Sequence, residues 1–367
     1  MIYLDHGATS FPKPAAVRRA VAASLMEHAN PGRGGYPAAM AAAGEVYTCR
    51  ETAGRLFDCD PEQVVFTANC TQGLNMAIRT LVKPGARVVV SGFEHNAVTR
   101  PLHLLGAERL VAGRKLFDWM DTLSEFEDVL KKKPAAAVFT HVSNVFGYVL
   151  PVEEMGALCR ERGIPFIIDA AQSAGMFPVS LKDLGADFIA MPGHKGLLGP
   201  MGTGMLLCGR LPEPWMAGGT GSDSIRQEMP DFLPDRAEAG TANVPGIRGL
   251  MAGMRYVENL GIQEICRRAK IQGEICAIGL EKQGFQVFSG EHQGGTVSFV
   301  VPGGCEEAAE FLARQGIAVR AGLHCAPLAH ESAGTLETGT VRVSFGHAAN
   351  PGQTATLLRA TAKLSRK

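Results

Sequence analysis

Three stretches place reactive side chains directly after apolar runs. In "FIIDAAQS" an apolar run delivers Asp169, with Gln172 three residues later. Taking a carboxylate out of water is costly unless a cation faces it, and a protonated ring nitrogen is such a cation. In "MPGHKGLLGPMGTG" Lys195 follows His194 inside a glycine-rich stretch. A lysine drawn into a partly buried site gives up its proton readily, and the free amine condenses with an aldehyde to a Schiff base. In "ANCTQGLN" Thr71 reads as the cap of a helix whose first turn Gly73 keeps open. Backbone N–H groups and a hydroxyl then converge where a phosphate binds, although the segment alone reads equally as a plain cap.

Three more positions join them. His95 of "FEHNA" lies just past another apolar run, placed to stack on a planar ring or to sit at the surface. Asn144 of "THVSNVFG" occupies a turn, where asparagine is commonly only turn chemistry. "RAGLHCAPLAH" sets Cys325 between His324 and His330. Nucleophile, metal ligand, half of a disulfide and small buried side chain all compete for that cysteine. A metal site needs more ligands at regular spacing, so none is expected. The nine cysteines are odd in number and lack a CxxC, the usage of reduced cytosolic thiols. Burial is the usual fate of a free cysteine and is expected of the other eight, whereas Gly322 and Pro327 favour an exposed loop around Cys325.

A Schiff-base lysine, a carboxylate for a pyridinium nitrogen and a phosphate-binding helix start are together the needs of pyridoxal 5′-phosphate (PLP). The phosphate-loop pattern GxxxxGK[ST] is absent, and "GPMGTG" opens no helix as a dinucleotide fingerprint would.

These residues need a scaffold that gathers strand ends. Apolar runs at Val64–Thr67, Arg87–Gly92, Ala135–Val142, Pro165–Ala170, Asp187–Met191 and Gly204–Cys208 alternate with amphipathic stretches. That pattern predicts an α/β fold with a mostly parallel central sheet, whose ligands collect at the carboxyl ends of the strands. One long helical pattern from about Gly246 to Lys282 leads into a smaller α+β domain. Its expected strands are "FQVFSG", "GGTVSFVV", "GIAVRAG" and "GTVRVSF", with a closing helix near "QTATLLRATAKL". The expected division is a large domain over 15–254 and a small domain over 1–14 and 255–367 that carries the Cys325 loop. At 367 residues, two domains are expected on size alone. Lys+Arg and Asp+Glu both number 36, so no charge imbalance calls for nucleic acid or an anionic membrane surface. The start "MIYLDHGATSF" lacks a secretory pattern, and a cytoplasmic protein is expected.

With those residues in view, the sequence resembles the class V aminotransferases among the fold-type I PLP enzymes. Within them it is similar to cysteine desulfurases and selenocysteine lyases. "YLDHGATSFPKP", "NPGRGGY", "CTQGLN", "EHNA", "HVSNVFG", "DAAQSAG", "GHKGLLGPMGTG", "EAGTANVPGI", "RAGLHCAP" and "VRVSF" carry the resemblance from Tyr3 to Phe345. The short "AGLHCAP" is like the compact loop of the SufS-like group. The resemblance implies that Lys195 forms the Schiff base, Asp169 pairs with the pyridine nitrogen and Gln172 bonds the ring hydroxyl. It further implies that His95 stacks on the ring and that Thr71 and His194 bind the phosphate. Thr241 would reach the phosphate of a second subunit in a homodimer. Asn144 would sit beside substrate or ring oxygen, and Arg342 would grip the substrate carboxylate.

The activity implied is conversion of L-cysteine to L-alanine, with sulfur left on Cys325 as a persulfide for an acceptor protein. His324 is the adjacent candidate for lowering the thiol pKa. Selenocysteine lyase, another class V reaction such as transamination, β-elimination or epimerisation, and a catalytically silent scaffold are the alternatives. Three positions depart from the family pattern: His6-Gly7 in place of Asn-Ala, Pro192 in place of a hydroxyl residue, and Cys70 beside Thr71. The last two shift expected phosphate binding toward backbone N–H groups and Thr71.

Overall fold

The computed structural model describes residues 1–32 and 34–364. Among the described residues, thirteen strands order the fold: β1 (Ile2–Tyr3), β2 (Val64–Thr67), β3 (Arg87–Ser91), β4 (Glu108–Ala112), β5 (Ala136–Thr140), β6 (Phe166–Asp169), β7 (Phe188–Pro192), β8 (Gly204–Cys208), β9 (Gln286–Phe288), β10 (Thr296–Val300), β11 (Ile317–Ala318), β12 (Arg320–Gly322) and β13 (Thr340–Ser344). The helices are α1 (Ala15–Glu27), α2 (Pro37–Phe57), α3 (Cys70–Leu81), α4 (Asn96–Leu104), α5 (Trp119–Leu130), α6 (Val152–Arg162), α7 (Leu181–Leu184), α8 (Val244–Leu260), α9 (Ile262–Lys282), α10 (Cys305–Arg314), α11 (Pro327–Ala333) and α12 (Pro351–Thr361).

The large sheet runs β2-β8-β7-β6-β5-β3-β4. Its β4, β3, β5, β6 and β7 are mutually parallel, while β8 runs antiparallel to both β7 and β2. Every residue of β5, β6, β7 and β8 is buried, as expected of strands covered on both faces. The chain passes from β3 outward to β4 and then returns to β5 on the other side of β3. The topological switch point therefore lies between β3 and β5, where doubly wound sheets bind their ligands.

Local signals set the helix ends. Asn69 caps α3 by accepting from the Gln72 N–H, and Gly163 ends α6 in the left-handed conformation. The expected Thr71 cap is thus displaced: Thr71 is the second residue of α3. Gly73 also has another role. A Cβ there would lie 3.3 Å from the Ala190 Cβ, so its missing side chain lets α3 pack onto β7. The single helix expected near 246–282 is two helices, because Gly261 (φ +80°) breaks the chain between α8 and α9. α8 itself continues through residue 254.

A second sheet, β12-β13-β10-β9, is antiparallel throughout. β1 pairs with β11 in parallel, tying the N-terminus to this part of the molecule. The backbone of Ser344 donates to Leu4 O, and Gly7 N donates to the Ser344 hydroxyl. No helix among the described residues is long and apolar enough to cross a membrane.

Candidate active site

The ends of β5, β6 and β7, with the loop after β3 and the start of α3, enclose one chamber. Thr71, His95, Asn144, Asp169, Gln172, His194 and Lys195 all line it. Residues 124 positions apart in sequence meet because parallel strands deliver their loops to one edge.

Asp169 ends β6 and is 2% exposed. Its Oδ1 accepts from Ala171 N at 2.8 Å and from the Cys70 thiol at 3.4 Å. Among the described residues it has no ion-pair partner, so its charge stays undercompensated inside the protein. A cationic ring N–H in the chamber would supply what the carboxylate lacks. Lys195 makes no described hydrogen bond or ion pair through Nζ, and desolvation pushes its pKa down against the pull of Asp169. Its amine is thereby available as a nucleophile. The His95 Nδ1 accepts from Ala97 N at 3.0 Å, and burial lowers the ring pKa, which favours a neutral ring with its proton on Nε2. An undercompensated carboxylate, a nucleophilic amine and a flat neutral ring fit PLP.

The remaining chamber residues are held by the N-terminal segment. Gln172 Nε2 donates to Gly7 O at 3.0 Å. The His194 Nδ1 is 3.0 Å from the Thr9 hydroxyl, and His194 O accepts from Ser10 and Lys13. Lys195 and Gln172 also border a second chamber that His6 and His347 help to close. The His6 ring lies edge-on to Tyr3 at 5.1 Å, and a Cβ on Gly346 would come within 2.6 Å of it. His6 is therefore tightly packed against the wall behind the lysine.

Arg342 and Cys325 stand outside the first chamber but connect to it. Arg342, on β13, is 1% exposed; its Nη2 donates to Asp5 Oδ1 at 2.6 Å and its Nη1 to Asn144 O at 2.9 Å. Asn144 in turn donates through Nδ2 to His324 O at 2.9 Å, and Asn96 N donates to Cys325 O at 2.8 Å. The cysteine loop is thus pinned to Asn144 and to Asn96, the neighbour of His95. Of the nine cysteines, Cys325 alone is exposed. His324 and Cys325 both have positive φ (49° and 57°), a conformation that costs a non-glycine residue about 1–3 kcal/mol. His324 turns inward: it is 4% exposed, its Nε2 is 3.2 Å from both Thr340 O and Oγ1, and burial pushes its pKa down to about 2. It is a neutral strut under the loop, which corrects its expected part in activating the thiol. Thr241 is not in the chamber; it lines a separate groove with Thr67, Gln72 and Glu238. Asp5, Asn96 and Glu94 escaped the sequence reading, although "LD" and "EHN" stood within the quoted motifs.

Buried neutral histidines give the fold an acid sensitivity. Desolvation lowers His141 and His330 to about 4 and His324 to about 2, and each has a buried ring nitrogen without a hydrogen-bond partner. The unfolded chain binds these protons below 6.5 while the folded protein refuses them. The stabilisation is full above 6.5 and is lost as pH falls toward the depressed values, at up to about 1.4 kcal/mol per pH unit per group. Urea unfolding followed from pH 7.5 to 5 is expected to show falling stability, with a shallower slope in His330→Gln. An unchanged slope in that variant contradicts the assignment.

A family model described as aminotransferase class-V matches residues 2–354. This chain belongs to the class-V aminotransferase family. A "probable cysteine desulfurase" of Methanothermobacter thermautotrophicus is 34% identical over 363 residues, spanning 94% of this chain and 90% of the relative. Another, from Pyrococcus abyssi, is 32% identical over 370 residues, spanning 94% and 89%. Among solved structures, the apo cysteine desulfurase from Thermococcus onnurineus NA1 superposes with a TM-score of 0.92 at 31% identity, covering all of this chain and 94% of that one. The class-V assignment accords with the mostly parallel sheet and the fold-type I architecture.

Proposed function

We propose that this class-V member is a PLP-dependent cysteine desulfurase that converts L-cysteine to L-alanine and leaves sulfur on Cys325. The observation that carries the reading is the single exposed thiol, pinned through Asn144 and Asn96 to a chamber holding an unpaired lysine and an undercompensated carboxylate. Bound PLP supplies an aldehyde for amine condensation and a ring that withdraws electrons from the substrate carbon.

The chain's own groups do the rest. Asp169 would hold a ring N–H and favour its protonated form, His95 would cover one ring face, and Gln172 would reach the ring hydroxyl. Thr71 and His194 serve the phosphate, with Thr241 serving that of a second subunit in a homodimer. Lys195 Nζ takes the substrate α-proton once its amine is free. Arg342 binds the carboxylate and Asn144 steadies it. The Cys325 thiolate attacks the substrate sulfur: a new S–S bond forms and the Cβ–S bond breaks. The electron pair of the broken bond remains with the substrate carbons; Cβ takes up a proton, equivalent to the one the Cys325 thiol gave up, Lys195 Nζ returns the α-proton to Cα, and alanine leaves. The persulfide then passes to an acceptor protein. A large domain over 15–254 and a small domain over 1–14 and 255–367, together in a cytoplasmic protein, complete the reading.

Mass spectrometry of the Cys325 peptide after exposure to L-cysteine is expected to show one added sulfur, with alanine released. Pyruvate and ammonia in place of alanine, with Cys325 unmodified, would overturn the proposal.

Arg342→Lys offers a second test. Lysine keeps the charge but forfeits the two-pronged grip and the strut to Asn144 O. Losing one charge-assisted hydrogen bond costs about 1.5–3 kcal/mol, so KM for cysteine is expected to rise about 10- to 100-fold, more than kcat falls. An unchanged KM removes Arg342 from the substrate site.

A further inference from the structure

Glu94 lies in the loop after β3, next to the ring-facing His95, and is fully buried. Its Oε1 accepts from the Ser91 backbone N–H at 3.3 Å, from the Ser91 hydroxyl, and from Thr140 N at 2.9 Å. Its Oε2 is buried with no hydrogen-bond partner. One oxygen is saturated and the other bare, an arrangement that the reaction outlined above does not use.

The register of the sheet explains why an acceptor is needed there. β3 and β5 pair at Val88↔Ala136, Val89↔Ala137 and Val90↔Val138. Continued, that register would bring Gly92 beside Thr140, but β3 ends at Ser91 and the chain turns away. The Thr140 N–H at the end of β5 therefore loses its strand partner at the switch point, where the sheet opens for a ligand. The Glu94 side chain folds back and takes the place of the departed strand. Thr140 itself lines the chamber and is in register with Asp169 on β6.

We infer that Glu94 is a positioning residue, a neutral carboxylic acid that clasps the splayed ends of β3 and β5 and so fixes His95 and Asp169 about the ring. The neutral form follows from geometry: a bare carboxylate oxygen in a buried site is far costlier than a bare hydroxyl. The proton sits on Oε2, since Oε1 already receives three donors. Burial, with Asp169 nearby, pushes this acid up to about 8, in the same direction. As an amide presents the same acceptor without ionising, glutamine should replace it and alanine should not.

The inference rests on the proposed PLP site, so its test includes measurements on cofactor-free protein. In the infrared difference spectrum of wild type minus Glu94→Gln at neutral pH, a protonated-carboxyl band is expected to vanish in the variant, with or without PLP. Glu94→Gln is expected to keep the melting temperature, the absorption band of the PLP-loaded protein and its pH titration, and kcat within a few-fold. Glu94→Ala is expected to shift that band and lower kcat/KM at least tenfold. Absence of the protonated-carboxyl band overturns the neutral form. A Glu94→Gln protein as impaired as Glu94→Ala, or a Glu94→Ala protein like wild type, overturns the positioning role. Should Glu94→Ala not fold, Glu94→Gln and the infrared band decide alone. A wild type that gains no absorption band with PLP would sink the cofactor reading instead, leaving the infrared result to stand by itself.

Discussion

Lys195→Ala is expected to abolish cysteine turnover and the absorption band that wild type acquires with PLP. The variant removes the only chamber amine among the described residues and, with it, both the proposed covalent tether and the group proposed to move the α-proton. Positioned proton transfer alone contributes about 10²–10⁴-fold, and covalent activation adds to it, so a loss of at least about 10⁴-fold is expected. Lys195→Arg should fare no better. Its guanidinium stays protonated where desolvation pushes the lysine toward its neutral form, and a protonated group neither condenses nor accepts a proton. Added methylamine, a small amine able to enter the vacated space, is expected to restore a fraction of the rate in Lys195→Ala. It should restore nothing in Lys195→Arg, where the space stays filled. A Lys195→Ala protein that turns over cysteine within tenfold of wild type ends the assignment. The fold should survive the change, since Nζ makes no described bond that the structure would miss.

The site was legible where chemistry coincides with a strand end. Asp169 ends an otherwise apolar strand and Lys195 follows an apolar one, and a charged side chain there is conspicuous because burial needs a reason. The six expected strands of the large sheet appear within two residues at each end. Their length and apolar character leave little freedom. The strand Glu108–Ala112 went unseen because it is an edge strand with exposed Glu108 and Arg109 and carries no continuous apolar run. Direction was no clearer: nothing in "GMLLC" says that β8 runs antiparallel. Contacts among distant residues were equally hidden. Asp5 meets Arg342 across 337 positions, and Asn144 meets His324 O across 180. Only the closed fold defines those pairings. The His324 expectation failed for a related reason. Adjacency in sequence said nothing about which way the ring turns, and in a left-handed backbone it turns into the protein, toward Thr340, while Cys325 is exposed.

That same backbone gives the most discriminating test of the nucleophile. Cys325→Ala is expected to retain PLP and its absorption band, because Cys325 does not line the chamber of Asp169, His95 and Lys195, yet to form no persulfide. Alanine production should fall by roughly 10²-fold or more, the gain a fixed nucleophile holds over one drawn from solution. Added dithiothreitol, as an external thiol, should recover part of it. Alanine at φ 57° keeps the steric cost that cysteine bears, whereas glycine does not. Cys325→Gly is therefore expected to melt at a temperature no lower than Cys325→Ala, while being equally unable to capture sulfur. If loop shape were the whole contribution of residue 325, the two variants would differ in rate; if the thiol is, they differ only in stability. A persulfide detected on another cysteine in either variant, with alanine formed at the wild-type rate, would show that sulfur leaves by another route. The eight other cysteines are poorly placed for that. Burial raises the thiol pKa of Cys49, Cys59, Cys159 and Cys276 to about 12, so scarcely any thiolate is present at neutral pH. Cys70, which lines the chamber, is likewise pushed well up, by burial first and then by the Asp169 carboxylate beside it. Burial thus raises the thiol pKa of all eight, whereas Cys325, the proposed nucleophile, is exposed on its left-handed backbone.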